Sequence, residues 1–261
     1  MRPIDLPRLK KWFAAYSAGF YLNDPEYDRP LRLKVAHTRR VCENIVRLGR
    51  ALDLSQEELI LAEVSALFHD VGRFRQYRDY RTFNDSISEN HAGAGVSLME
   101  EHGLLALRPE TERRLVTQAI AYHNAAVLPE DQDPETIFFM HLLRDADKLD
   151  ILHIFAEYFN DRDGRPDKTI EVGLADDPAV SPRMIDALRA RRFARFEDLK
   201  TLNDFKLLQI SWVYDFNFTP SFQLLKDRRH IENINKTLPR TVEIEAAVKE
   251  ALDYMLQSAG G

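Results

Sequence analysis

The 261-residue sequence predicts an all-α fold. Apolar residues recur with a period near 3.6 along most of the chain. Helix-start and helix-stop residues punctuate that pattern at short intervals. No internal repeat, low-complexity tract or long linker interrupts it, so one mainly helical domain is expected over 1–261.

The elements follow in order. A first helix covers about 5–18, and "DPEYDRP" breaks it. The second runs from about 31 to 52, with Leu33, Val41, Ile45 and Leu48 on one stripe. Ser55 and Glu58 form a capping-box pattern that starts the next helix, and Gly72 is placed to end it as the residue after the cap. A short helix spans about 90–101, closed by Gly103. Pro109 suits the first position of a helix over 109–124, and Pro134 opens a long one to about 160.

The polar stretch 160–180 holds at most a short strand at 168–174. A calcium loop over Asp161, Asp163 and Gly164 is rejected, because Phe159 and Ile170 would occupy ligand positions that require carboxylates. Ser181–Pro182 begins another helix, Asn203 caps one through about 216, and two more cover 220–236 and 240–257.

Composition narrows the function. A net charge of −6 argues against general neutralisation of nucleic-acid phosphates. The single cysteine, Cys42, excludes an internal disulfide and Cys-based zinc sites. No window approaches a membrane span and no secretory leader is evident, so a soluble cytoplasmic protein is expected. The sequence allows a homo-oligomer.

The chemistry gathers around "EVSALFHDVGRFRQY", Glu63 to Tyr77, where a greasy helix ends in His69 and Asp70. The dipeptide alone is weak evidence. Partners elsewhere give it meaning. His37 shares a helix face with Leu33 and Val41 and so points to the core. Asp145 and Asp147 lie about 200° apart around one helix, so only one is expected to face inward. Asp147 shares its stripe with Leu143, Ile151 and Ile154, where a buried carboxylate needs a partner or a metal.

His91 opens one helix in "SENHAGAG" and His123 ends another in "QAIAYHN". Four imidazoles and two carboxylates on separate helices form the ligand set of a buried metal site. That mixture suits Fe, Mn, Co, Ni or Zn. Six side chains suit two ions, with Asp70 as the natural bridge.

The order His37 … His69–Asp70 … Asp147 resembles the H…HD…D signature of the HD-domain metal-dependent phosphohydrolase superfamily. "FHDVGRF" resembles its central motif and "RDADKLDIL" its closing one. His91 and His123 resemble the extra ligands of its binuclear branches. The signature spans about 37–151, and "HDVGRFRQYRDYRTFND" with "ISWVYDFNF" resembles a bacterial subgroup. Asn124 follows His123 where the HD-GYP branch has a second His, which argues against cyclic-di-GMP hydrolysis.

The resemblance implies a single HD-domain bundle over about 31–160, with C-terminal helices over about 181–258 packed on it. It implies hydrolysis of a phosphate ester or phosphoanhydride of a small metabolite, a nucleotide among the candidates, by water made nucleophilic at two divalent transition-metal ions. Asp70 is the catalytic bridge, and Arg73 and Lys148 are candidate clamps for phosphate oxygens. Arg73, Arg78, Arg81 and Tyr80 belong to an arginine- and aromatic-rich loop, 73–90, suited to phosphate and a base.

An HD-type di-iron oxygenase and a non-catalytic metal sensor are the alternatives. A mononuclear site, with His91 and His123 acting on phosphate, also fits the residues. His102, His153 and His230 are read as structural, His230 on a solvated face, and "ISWVYDFNF" as packing.

Overall fold

The computed structural model describes residues 5–162 and 167–260, which form two compact units, to Asp147 and from Lys148. Asp163 and Gly164 of the rejected calcium loop lie outside them. No strand occurs among the described residues, so the chain is all-α as expected.

The first unit contains α1 (Leu6–Ala18), α2 (Pro25–Ala51), α3 (Gln56–Phe68), α4 (Gly72–Tyr80), α5 (His91–Glu101) and α6 (Glu110–Tyr122). It also holds α7 (Pro134–Asp161) as far as Asp147. Helix α2 starts six residues before the expected position. Asp24 caps it by accepting from the backbone N–H of Glu26 and Tyr27, Pro25 takes the first turn, and Pro30 is carried inside the helix. The Ser55–Glu58 capping box of α3 forms as read.

Phe68, Val71 and Phe74 are fully buried on either side of the turn that carries His69 and Asp70. Phe13 of α1 meets Phe68 and Phe74 edge-on, at 6.4 and 5.9 Å between ring centres. This aromatic cluster fixes the turn from behind.

Gly72 does not end α3; it begins α4. A Cβ there would lie 2.2 Å from the His91 carbonyl oxygen and 2.9 Å from the Gly95 nitrogen. Only glycine lets the start of α4 approach α5 so closely. The stretch after it, expected as a loop, is helical to Tyr80 because Phe74 and Gln76 are buried while Arg78 and Asp79 face outward.

Both Asp145 and Asp147 are buried, contrary to the one-sided expectation. Leu142, Leu143, Ala146 and Leu149 are also buried around them, so this stretch of α7 is enclosed on all sides and has no solvent face to choose.

The second unit continues from Lys148 with α8 (Lys168–Glu171), α9 (Pro182–Arg189), α10 (Leu202–Ser211), α11 (Thr219–Arg228), α12 (His230–Asn235) and α13 (Val242–Ala259). The strand allowed at 168–174 is instead one helical turn, beyond which Ala175 makes an isolated bridge to Thr201. Thr201, not Asn203, caps α10 through a reciprocal box with Asp204. The helix read over 220–236 breaks at Arg229, whose φ is 55°. From "ISWVYDFNF", Val213 and Phe216 are buried, as packing residues should be.

His230 is buried rather than solvated, with its ring centre 5.4 Å from that of His153. Burial lowers its pKa to about 4, with His153 and Arg228 adding to the effect and Asp150 opposing it. The unfolded chain therefore binds the extra proton first. Stability from this group is complete above about pH 6.5 and is lost as pH falls toward 4. Denaturant titrations across that range should show this acid slope, and His230→Gln should flatten it.

Candidate metal centre

The centre is assembled from five segments of the first unit. His37 comes from the middle of α2. His69 and Asp70 lie in the three-residue turn between α3 and α4. His91 is the first residue of α5, capped by Asn90, and His123 follows the last residue of α6. Asp147 comes from α7. The Asn44 amide donates to the Ala146 carbonyl at 3.0 Å, tying α2 to α7 beside Asp147.

All six predicted ligands converge. Three groups of their donor atoms, His37–His69–Asp70, His69–His123–Asp147 and Asp70–His91–His123, each lie within 4.8 Å of one another. On one side, His37 Nε2 lies 3.2 Å from His69 Nε2, 3.0 Å from Asp147 Oδ1 and 3.5 Å from Asp70 Oδ2. On the other, His91 Nε2 lies 3.1 Å from His123 Nε2 and 3.2 Å from Asp70 Oδ1. Asp70 thus turns one oxygen to each group.

Three of the four imidazoles have Nδ1 held by an acceptor. The Ala66 and Ile120 carbonyls accept from Nδ1 of His69 and His123, both at 2.7 Å. Asp85 Oδ2 lies 2.7 Å from Nδ1 of His91. A carbonyl or carboxylate oxygen only accepts, so each of these Nδ1 atoms carries a hydrogen, and in a neutral ring Nε2 presents a lone pair. Those lone pairs face one another and the Asp70 and Asp147 oxygens. A second proton is disfavoured: burial, helped by His91 and His69, lowers His123 to about 3, and burial also lowers His69. The buried lone pairs of His69 and His123, which resist protonation, fit divalent cations, and the imidazole–carboxylate mixture fits transition metals.

The carboxylates stay ionised. Burial pushes Asp70 up, but Lys34, His69, His91 and Arg73 outweigh it and hold it well below the usual range. Asp147 is likewise lowered despite burial, by His37, His69 and His123.

The family model of the HD domain matches residues 35–152, the stretch that contains all six ligands. That match supports an HD domain over this stretch, which is less than half of the 261-residue chain. Neither a curated protein nor a solved structure matches the chain. Among the described residues, no helix is long and apolar enough to cross a membrane.

The other predicted site residues lie outside the ligand set. Arg73 touches it, with Nε 3.4 Å from Asp70 Oδ1, while its Nη1 binds Gln76 and Asp85 and the Phe83 carbonyl. Lys148 is buried, and its ammonium binds the carboxylate of Asp215 and the Asp215 carbonyl within the second unit. Arg78 pairs with its neighbour Asp79, Arg81 lies 4.0 Å over the Tyr27 ring, and Tyr80 is half exposed.

The centre also uses residues that sequence reading missed. Lys34 donates to Asp70 Oδ2 at 2.7 Å. Its spacing of three before His37 puts both on one helix face, a signal that was available. Arg144 caps the end of α6 at the carbonyls of Tyr122, His123 and Ala125, which fixes the turn carrying His123. Nothing in local sequence marks that contact.

Proposed function

We propose that this HD domain is a metal-dependent phosphohydrolase acting on a phosphate ester or phosphoanhydride of a small metabolite, a nucleotide being the leading class. The observation that supports the reading is the pair of imidazole groups flanking one ionised carboxylate, Asp70. His37, His69, Asp70 and Asp147 would hold one divalent ion, and Asp70, His91 and His123 the other. Bound ions of this kind supply a nucleophile from water at neutral pH and neutralise charge developing on phosphoryl oxygens.

The chain's own residues do the rest. Nδ1 hydrogen bonds lock three imidazoles with Nε2 inward. Lys34 and Arg73 bring positive charge against Asp70, where an incoming phosphate dianion needs it. In this reading Arg78, Arg81 and Tyr80 recognise the remainder of the substrate. A small-molecule substrate met in the cytoplasm belongs to this reading.

The test is phosphate release from a panel of nucleotides, phosphomonoesters and phosphodiesters, on protein purified without added metal. Chelation should lower turnover by about 10³-fold or more, and manganese, cobalt or nickel should restore it. Tightly bound iron with oxygen uptake and no phosphate release would replace this reading by the oxygenase one.

A further inference from the structure

Asp85 sits in a short 3-10 turn, Asp85–Ile87, between α4 and α5, where sequence offers no periodicity. Its carboxylate gathers four donors. Oδ2 faces His91 Nδ1 at 2.7 Å and accepts from the Asn124 amide at 3.1 Å. Oδ1 accepts from Arg73 Nη1 at 2.7 Å and from the Gln76 amide at 2.8 Å. Gln76 is itself fully buried and also donates to Ser88 Oγ at 2.8 Å and to the Glu89 carbonyl at 3.0 Å. The segment between α4 and α5 is thus tied down around one acidic side chain whose partners include a ligand imidazole.

We propose that Asp85 is the positioning residue of the second metal position: by accepting the Nδ1 hydrogen of His91 it fixes that ring's tautomer and aims Nε2 at the space between Asp70 Oδ1 and His123. The inference rests on the two-ion reading above. His69 and His123 take their Nδ1 contacts from backbone carbonyls three residues earlier, a contact any helix end supplies. His91 is the first residue of its helix and has no preceding turn to provide one. A side chain from outside the helix must do it, and Asp85 does. Its negative charge also raises the basicity of the imidazole toward a cation, which a carbonyl does less strongly. Arg73, touching both Asp85 Oδ1 and Asp70 Oδ1, holds the two carboxylates in one frame.

The test is manganese binding to the chelator-treated full chain, comparing wild type with Asp85→Ala, Asp85→Asn and His91→Ala. Stoichiometry and stepwise affinities come from equilibrium dialysis, and the spin-coupled two-manganese signal is followed by electron paramagnetic resonance. Asp85→Ala should weaken the second ion by about 10- to 100-fold, leave the first within about twofold, and convert the coupled signal to that of isolated ions. Asp85→Asn keeps an acceptor and should recover part of the loss, and it serves as the working variant if the alanine protein does not fold. If His91→Ala loses one ion while both Asp85 variants bind two as wild type does, the role of Asp85 is overturned and the two-ion site stands. Equal weakening of both ions would mark Asp85 as general scaffolding and also overturn it. One ion in every protein, wild type included, would overturn the two-ion reading itself.

Discussion

Asp70→Ala should empty both halves of the proposed centre and lower the proposed phosphate release by about 10³-fold or more, the scale of several kcal/mol of lost transition-state stabilisation. The reason is geometric. Oδ2 lies 3.5 Å from both His37 Nε2 and His69 Nε2, and Oδ1 lies 3.2 Å from His91 Nε2, so no other ligand shares both groups so closely. The substitution also leaves Lys34 without its 2.7 Å carboxylate partner, which places a cation beside the vacated positions and opposes metal entry further. Metal content by elemental analysis and turnover on the best panel substrate are the paired readouts. A variant with wild-type turnover would sink the metal-centre reading, whatever its metal content.

Gly72→Ala is expected to have the second-largest effect, though it adds a single carbon. The new Cβ meets backbone, the His91 carbonyl oxygen at 2.2 Å and the Gly95 nitrogen at 2.9 Å, and backbone cannot rotate aside. Overpacking of this kind costs about 1–3 kcal/mol or more. At a few degrees per kcal/mol, the thermal midpoint should fall by about 3–10 °C. Because the clash pushes on the first turn of α5, His91 moves with it, and the second ion should bind more weakly as well. Gly93→Ala in the same helix is the control. Nothing lies within 4 Å of its added Cβ, so it should stabilise by about 0.5–1 kcal/mol through helix propensity. Thermal melts of the two variants side by side decide the point: equal midpoints would show that α4 and α5 do not meet as described.

The ligands were legible because each breaks a local rule. Asp147 interrupts an apolar stripe, and His37 interrupts another. His91 and His123 occupy helix ends, where backbone geometry aims a side chain along a defined direction. Their order along the chain then turned six weak signals into one strong one. Asp85, Gln76 and Arg144 break no such rule. They are polar residues in polar surroundings, and their roles exist only once segments distant in sequence are brought together.

The misreadings have the same origin. Proline at position 30 is a helix breaker by propensity, yet the Asp24 cap and the buried face of α2 carry the helix through it. Gly72 has the composition of a helix stop, but its lack of a side chain serves an approach between helices. The enclosure of α7, which buries Asp145 as well as Asp147, is a property of its neighbours, and a single helix cannot display it.

The ligands come from separate segments between positions 37 and 147, and their donor atoms converge in the buried interior of the first unit. Without cations, folding must press like-oriented donors together; with cations, the same convergence becomes cross-linking. In a chain with one cysteine, buried in α2, the ions would occupy the place that disulfides hold elsewhere, closing long loops that the chain leaves otherwise unlinked. Metal supply would then govern how much folded protein exists as well as how fast it turns over, since an ion that binds only the native state raises stability with the logarithm of its free concentration.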